Sequence, residues 1–297
     1  MINLSISMAL KYEGCVLFRQ RIVAATLSGK VLKISKIRND DEFPGLQDFE
    51  ANFLKLIESI SDGASIEINE TGTILRYKPG LLIGGAIKHD CPLSRAIGWY
   101  IEGILPLAPL CKFPLSIEFT GVTNDSIDLS VDTLSSVTLP LLRNFGVEGA
   151  NLVVRRRGAP PKGGGLVEFS CPTVRELRPV YAVDVGLVKR VRGTAFCSRV
   201  SPAIINRVVD AARAVLNRLL PDVYVHTDHC KGLHGGLSPG YSLSLVAETT
   251  TGALLSVERA AAAGAGAGGE LPETVGREAA LLLLEEISQG VPPTYSI

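Results

Sequence analysis

The 297-residue sequence predicts an α/β chain of layered sheets and helices. Segments with apolar residues at helical spacing alternate with short segments of period-two alternation, and Gly, Pro and Asn turns separate them. The resulting strand–helix–strand–strand pattern recurs at similar length, with negligible identity between the rounds. Hydrophobic residues make up 46% and charged residues 20%, and the length suffices for a sizeable core and two domains.

Residues 19–37 (RQRIVAATLSGKVLKISKI) comprise an apolar segment, a Ser-Gly turn and a strand through Val31, Lys33, Ile34 and Ile37. The polar stretch Arg38 to Glu42 and the Pro44-Gly45 break follow. From Leu46, the residues Phe49, Phe53, Leu56, Ile57 and Ile60 recur at helical spacing. Strands are expected at Ala64 to Asn69 and Thr73 to Tyr77, joined through Thr71-Gly72 and closed by Pro79-Gly80. The second round has a helix over Ala96 to Leu107, a strand through Leu115, Ile117 and Phe119, and a helix from Asp128 to Phe145. Strands at Val153 to Arg157 and Leu166 to Phe169 end it.

A third round begins near Val191. Ser201-Pro202 is a helix start, with Ser as N-cap and Pro at the first helical position. Ile204, Ile205, Val208, Ala212, Val215, Leu216 and Leu219 form that helix's apolar face. Strands follow at Val223 to Thr227, Tyr241 to Thr249 and Ala253 to Val257. The run Ala260 to Gly269 reads as a flexible connection, and Leu271 to Gln289 as a last amphipathic helix. No strand returns after it, so an incomplete final domain is expected.

Thirty Lys and Arg balance thirty Asp and Glu, so nucleic-acid binding has to come from local patches rather than a global field. Three patches stand out: Arg19, Arg21 and Lys30; then Arg155, Arg156, Arg157 and Lys162; then Lys189, Arg190 and Arg192 with Arg199. The second belongs to RRRGAPPKGGGLVEFSC, where Gly163, Gly164 and Gly165 allow positive φ and a close backbone approach. A phosphate partner suits such cations, and a hairpin turn with charged ends is the plain alternative. In a Walker loop a Gly-Lys-Ser/Thr run opens a helix, whereas here Lys162 precedes the glycines and a strand follows them. On a regular strand Arg155 and Arg157 share one face and Arg156 takes the other.

The six scattered cysteines form no CxxC pair, which suits a reduced compartment. MINLSISMAL lacks a basic leader, and the longest apolar run, Ala279 to Leu284, is far short of the roughly 20 residues that span a bilayer. No membrane partner is expected. His226, His229, Cys230 and His234 fit a closed zinc site poorly, because strand residues three apart point to opposite faces. His89, next to Asp90 and Cys91, reads as a polar loop rather than half of a nucleophile pair. No metal or cofactor is expected.

The segments LFRQRIVAATLSGK, YKPGLLIGG, PPKGGGLVEFSCP, RVRGTAFCSRVSP, TDHCKG…SPGYSLSLVAETT and LPETVGREAALLLLEEI resemble RNA 3′-terminal phosphate cyclases, in matching order from about residue 12 to 290. The chain is most similar to the eukaryotic cyclase-like branch. The resemblance implies a large layered α/β domain of repeated strand–helix–strand–strand units, interrupted by a smaller inserted α/β domain. The corresponding division is residues 1–184, an insert at 185–268, and a return at 269–297.

Cyclases close a 2′,3′-cyclic phosphate through a histidine–adenylate. The resemblance puts Arg19 and Arg38 on two arginines of the nucleotide grip, Asp41 on a third and Phe49 on its glutamine. The Glu-Gly-Gly-Gly-Gln signature is reduced to Glu13-Gly14-Cys15, and the histidine region falls beyond Ile297. The cyclase-like branch implies a non-catalytic role in nucleolar pre-rRNA processing toward 18S rRNA. Its partners would be the small-subunit processome, pre-rRNA and a dedicated ribosome-biogenesis GTPase. An active cyclase lacking its C-terminus, and a pre-rRNA endonuclease, are the alternatives. The expected RNA, phosphate or partner contacts are Arg19, Arg21, Arg38, Arg155 to Arg157, Lys162 to Gly165, Lys189, Arg190 and Arg192.

Overall fold

Two stretches of the chain fold by one plan, as the computed structural model shows; it describes residues 9–261 and 270–290. The first stretch runs β1 (Leu10–Glu13), α1 (Phe18–Ser28), β2 (Leu32–Ser35), α2 (Asp48–Ile60), a short β3 (Ser61–Asp62), β4 (Ser65–Ile68) and β5 (Leu75–Lys78). β3 pairs with the equally short β6 (Leu81–Leu82), outside the main sheet. That sheet has the order β1-β2-β5-β4, with β1 and β2 parallel and the other neighbours antiparallel. α2 starts at Asp48, two residues after the Leu46 from which the helical spacing runs, because Gln47 and Glu50 form a reciprocal capping box there.

The second stretch repeats the plan. It runs β7 (Gly85–Asp90), α3 (Ile97–Ile104), β8 (Leu115–Gly121), α4 (Val131–Thr133) continued by a π turn over Leu134–Thr138 into α5 (Leu139–Asn144), β9 (Asn151–Arg156) and β10 (Gly165–Cys171). Its sheet order β7-β8-β10-β9 repeats both the order and the directions of the first. The π turn lies just before Pro140, which has no N–H to donate, and the Leu139 N–H reaches back to Leu134 O. One core, from Phe18 to Cys171, serves both stretches.

The third stretch departs from the plan. It comprises β11 (Val188–Ser198), α6 (Pro202–Leu216), β12 (Val223–Cys230), β13 (Gly240–Thr249), β14 (Leu254–Ala260) and α7 (Pro272–Gln289). Here the order is β12-β11-β13-β14, so the first of the parallel pair is central, whereas the second is central in the other two sheets. Ser201 caps α6 by accepting from the Ala203 N–H, as its sequence predicts. The helix expected to return to the large unit does otherwise: Val275, Ala279, Ala280 and Leu283 of α7 join the core of the third sheet. Gly276 permits that close crossing, because a Cβ there would lie 2.1 Å from Val208 O.

β1 and β7 were not anticipated from the sequence. His89 is therefore no loop residue: it is buried on β7, between Tyr100 (5.6 Å) and Phe119 (5.9 Å), and bonded to Asn52 at 2.6 Å. Most of the Ala260–Gly269 run (262–269) and the terminal VPPTYSI lie outside the described residues.

Candidate nucleic-acid interface

The connection from β9 to β10 is the Gly-rich stretch, and it is a joint rather than a free hairpin. The Arg157 N–H donates to His234 O (3.2 Å), the Leu237 N–H to Gly163 O (2.9 Å) and the Lys162 N–H to Ser238 Oγ (3.0 Å). The loop thus interlocks with residues 231–238 of the third stretch. Gly163 and Gly164 take positive φ, while Gly165 does not. Gly158 and Gly236 are required by proximity instead: a Cβ on Gly158 would lie 2.3 Å from Gly165 N, and one on Gly236 2.4 Å from Gly163 O.

The joint holds a buried ion cluster. Arg157 gives a bidentate pair to Asp132 (2.7 and 2.8 Å), bonds Asp228 at 3.0 Å and stacks on Phe196 at 5.0 Å. Burial works against the Arg157 charge, yet Asp132 and Asp228 outweigh it and raise its pKa above the ordinary guanidinium value. Glu258 accepts from the Ser130 N–H (3.0 Å) and Thr133 Oγ1 (2.7 Å), tying β14 to the start of α4. Its burial raises its pKa, against the lowering effect of those donors.

Several expected cations are therefore committed within the chain. Arg157 is interior rather than a surface contact, and it does not share a face with Arg155, because β9 ends at Arg156 and the register shifts between Leu166 and Val167. Arg155 pairs with Glu168 (2.8 Å), Arg190 with Glu248 (2.5 Å) and Arg192 with Asp222 (2.8 Å). Arg19 is buried against Glu102 (2.7 Å) and Trp99, and Arg38 is bidentate to Glu50 (2.6 and 2.9 Å). Arg21 donates to Gly14 O (2.9 Å) and covers the Tyr12 ring, and Lys189 is exposed with no described carboxylate partner.

What remains around the interlocked loops is a set of cations without a described carboxylate partner. Arg156 donates to Gly164 O (2.5 Å), and Arg199, held at φ 54°, donates to Gly236 O. Lys162 and Lys231 are exposed, as are His229 and His234. None of the four cations has a described carboxylate within salt-bridge distance. The sequence alone does not single out Lys231: it is a Lys beside Gly232, 69 residues beyond Lys162, and only the interlocked loops join them. Among the described residues, no group of three or more His, Cys, Asp or Glu is placed to hold a metal. His229 Nδ1 instead lies 3.1 Å from Cys197 Sγ, a thiol whose pKa burial raises.

The family model for RNA 3′-terminal phosphate cyclase matches residues 10–278. The chain belongs to that family. It is 53% identical over 284 residues to the human and bovine proteins named RNA 3′-terminal phosphate cyclase-like protein, covering 95% of this chain and 76% of each relative. It is 43% identical over 283 residues to the Schizosaccharomyces pombe protein named rRNA processing protein rcl1, covering 94% of this chain and 77% of that protein. Within this cyclase-family chain, the position that the resemblance matches to the glutamine holds Phe49, whose ring meets Trp99 edge-on at 5.2 Å. No helix among the described residues is long and apolar enough to cross a membrane.

Proposed function

We propose that this cyclase-family chain is a factor of pre-rRNA processing in small-subunit (18S) ribosome biogenesis, acting by contact rather than by cyclisation. It would work in the nucleolus with the small-subunit processome and a ribosome-biogenesis GTPase. The reading is supported by its likeness to proteins named cyclase-like and rRNA processing. One structural observation carries it. The two arginines matched to the nucleotide grip are bonded to Glu102 and Glu50, while Arg156, Lys162, Arg199 and Lys231 stand around the interlocked loops without a described carboxylate partner. Phosphates of a folded RNA are the natural counter-charges for such a group. The division of the chain near residue 185 belongs to the same proposal. It is supported by two separate cores, with the smaller unit extended to include α7.

The test is binding of a pre-rRNA fragment at stated salt. The double variant Arg156→Glu/Lys162→Glu is expected to weaken affinity about tenfold or more and to flatten the salt dependence. Unchanged affinity and slope would reject the patch. Incubation with labelled ATP provides the second check, since a histidine-linked adenylate would reject action by contact alone. A pull-down from nuclear extract, read for the GTPase and pre-rRNA together, tests the partners.

A further inference from the structure

The third sheet has one face against α6 and α7, and its other face is only half covered. On that second face the strand register forms cross-strand rows. Tyr224, Arg192, Val246 and Ser256 make one row; His226, Thr194, Ser244 and Glu258 make the next; Asp228, Phe196, Ser242 and Ala260 make the third. The second stretch covers the Ser244–Glu258 and Asp228–Phe196 positions, through Thr133, Ser130 and Arg157. It leaves the Tyr224–His226 end of β12 open. Tyr224 is 61% exposed there, His226 is exposed, and β12 has no further strand on its outer edge. A groove of about 210 Å³ lies on the same face, lined by Arg192, Thr194, Ser244 and Glu248, with Ser136 of the π turn as its far wall.

We propose that this open half-face binds single-stranded RNA, with the Tyr224 ring as the platform on which a base stacks. Every base has a π face, so one exposed ring beside a guanidinium is a base-tolerant site. Arg192 neighbours Tyr224 in register, and its pair with Asp222 is solvent-exposed, hence weak enough for a phosphate to compete. Thr194 supplies a hydroxyl that can donate to or accept from base edges, and Ser136 Oγ, which donates to Asp132 O (2.7 Å), can still accept. A protein partner would need a contiguous apolar patch, whereas Tyr224 is the one large exposed apolar side chain among the described residues of this face.

The position also connects with the cation group. From Tyr224 to Cys230 the strand advances about 20 Å, and Lys231 follows directly. A single strand whose phosphates meet Lys231 and Arg199 would lay its next nucleotides along the free outer edge of β12, past the Asp228 position that Arg157 covers, to Tyr224. The inference therefore rests on the RNA-contact reading and adds a base-stacking site to it.

Fluorescence anisotropy with a short single-stranded RNA, and with the same sequence in a duplex, separates the two. Tyr224→Ala should weaken single-strand binding about tenfold and leave duplex binding unchanged, because paired bases offer no free face. Tyr224→Phe keeps the ring and should bind like the parent chain. The inference is overturned if Tyr224→Ala binds the single strand as tightly as the parent, weakens both RNAs alike, or is matched by Tyr224→Phe. Arg156→Glu/Lys162→Glu, measured alongside, should weaken both RNAs. If that variant alone has no effect, the cation reading fails and the stacking site stands. Tyr224 is exposed, so its removal leaves no cavity, and circular dichroism checks the fold of each variant.

Discussion

The first and second sheets share one topology, yet their last connections are satisfied in opposite ways. In the first, residues 69–74 join β4 to β5 and bond within their own stretch. Asn69 Oδ1 accepts from the Ile74 N–H (2.8 Å), its Nδ2 donates to Thr71 (2.8 Å) and Thr73 (3.1 Å), and the Leu46 N–H donates to Gly72 O (3.1 Å). In the second, residues 157–164 join β9 to β10 and direct donors and acceptors to residues 234–238 of the third stretch. The difference shows how a repeated fold gains a junction: the same loop position that closes on itself in one copy becomes the attachment point in the other. Buried polar groups have to be paired somewhere, and here the pairing partner defines the joint.

The largest effect is expected at Arg157. Arg157→Ala leaves Asp132 and Asp228 without their cation, and removing one partner of a buried ion cluster costs about 3–5 kcal/mol. A lower urea midpoint, together with faster amide exchange in residues 231–238, would show that the joint has opened. The exposed pair of the first sheet, Arg76 with Glu67, should tolerate Arg76→Ala with a loss below about 1 kcal/mol.

The opening strands of the two copies differ as well. β1 exposes Lys11, Tyr12 and Glu13, whereas β7 buries His89, whose pKa burial lowers from 6.5 to about 4. Between those values the unfolded chain takes up a proton that the folded chain refuses, so stability falls as pH drops, by up to about 3 kcal/mol. Glu258 acts with the opposite sign: its raised pKa makes the folded chain bind a proton first, so falling pH favours the joint through that group. Urea midpoints at successive pH values should therefore compare the parent with His89→Gln. That variant keeps a donor toward Asn52 Oδ1 and cannot titrate, so its acid dependence should be flatter by the His89 share.

Helical period made α2 legible in the sequence, and period together with the Ser201-Pro202 start made α6 legible, because such signals lie within a few residues of each other. β7 was not, since Gly84-Gly85 and the polar His89-Asp90 masked a short strand whose alternation spans six residues. The cation run at Arg155 to Arg157 was visible, but its electrostatics were not: the carboxylates that neutralise Arg157 stand 25 and 71 residues away. The reversed order of the third sheet leaves no mark on the strands read at Val223 to Thr227, Tyr241 to Thr249 and Ala253 to Val257, because period-two alternation carries no information on which strand is central. Composition therefore located the charged loop, and only the packing separated committed cations from free ones.

A middle-sized effect is expected from Gly158→Ala. Its Cβ would fall 2.3 Å from Gly165 N and 2.6 Å from Gly121 O, so the β9–β10 connection has to shift at about 1–3 kcal/mol, and its fit to residues 234–238 should loosen. Weakened RNA binding alongside the lower midpoint would tie the joint's geometry to the cation group.

The smallest effect belongs to the self-contained loop. Asn69→Ala removes the side-chain bonds that close residues 69–74, but the Asn69 N–H still donates to Ile74 O (3.2 Å) and the Gly72 N–H to Asn69 O (3.0 Å). With the loop exposed, water replaces the lost partners, so the cost should be about 1 kcal/mol. Amide exchange should quicken at Ile74 and stay unchanged across residues 231–238. A change in that distant segment would mean that the two loops are coupled through the shared core, and that the first copy is not closed on itself.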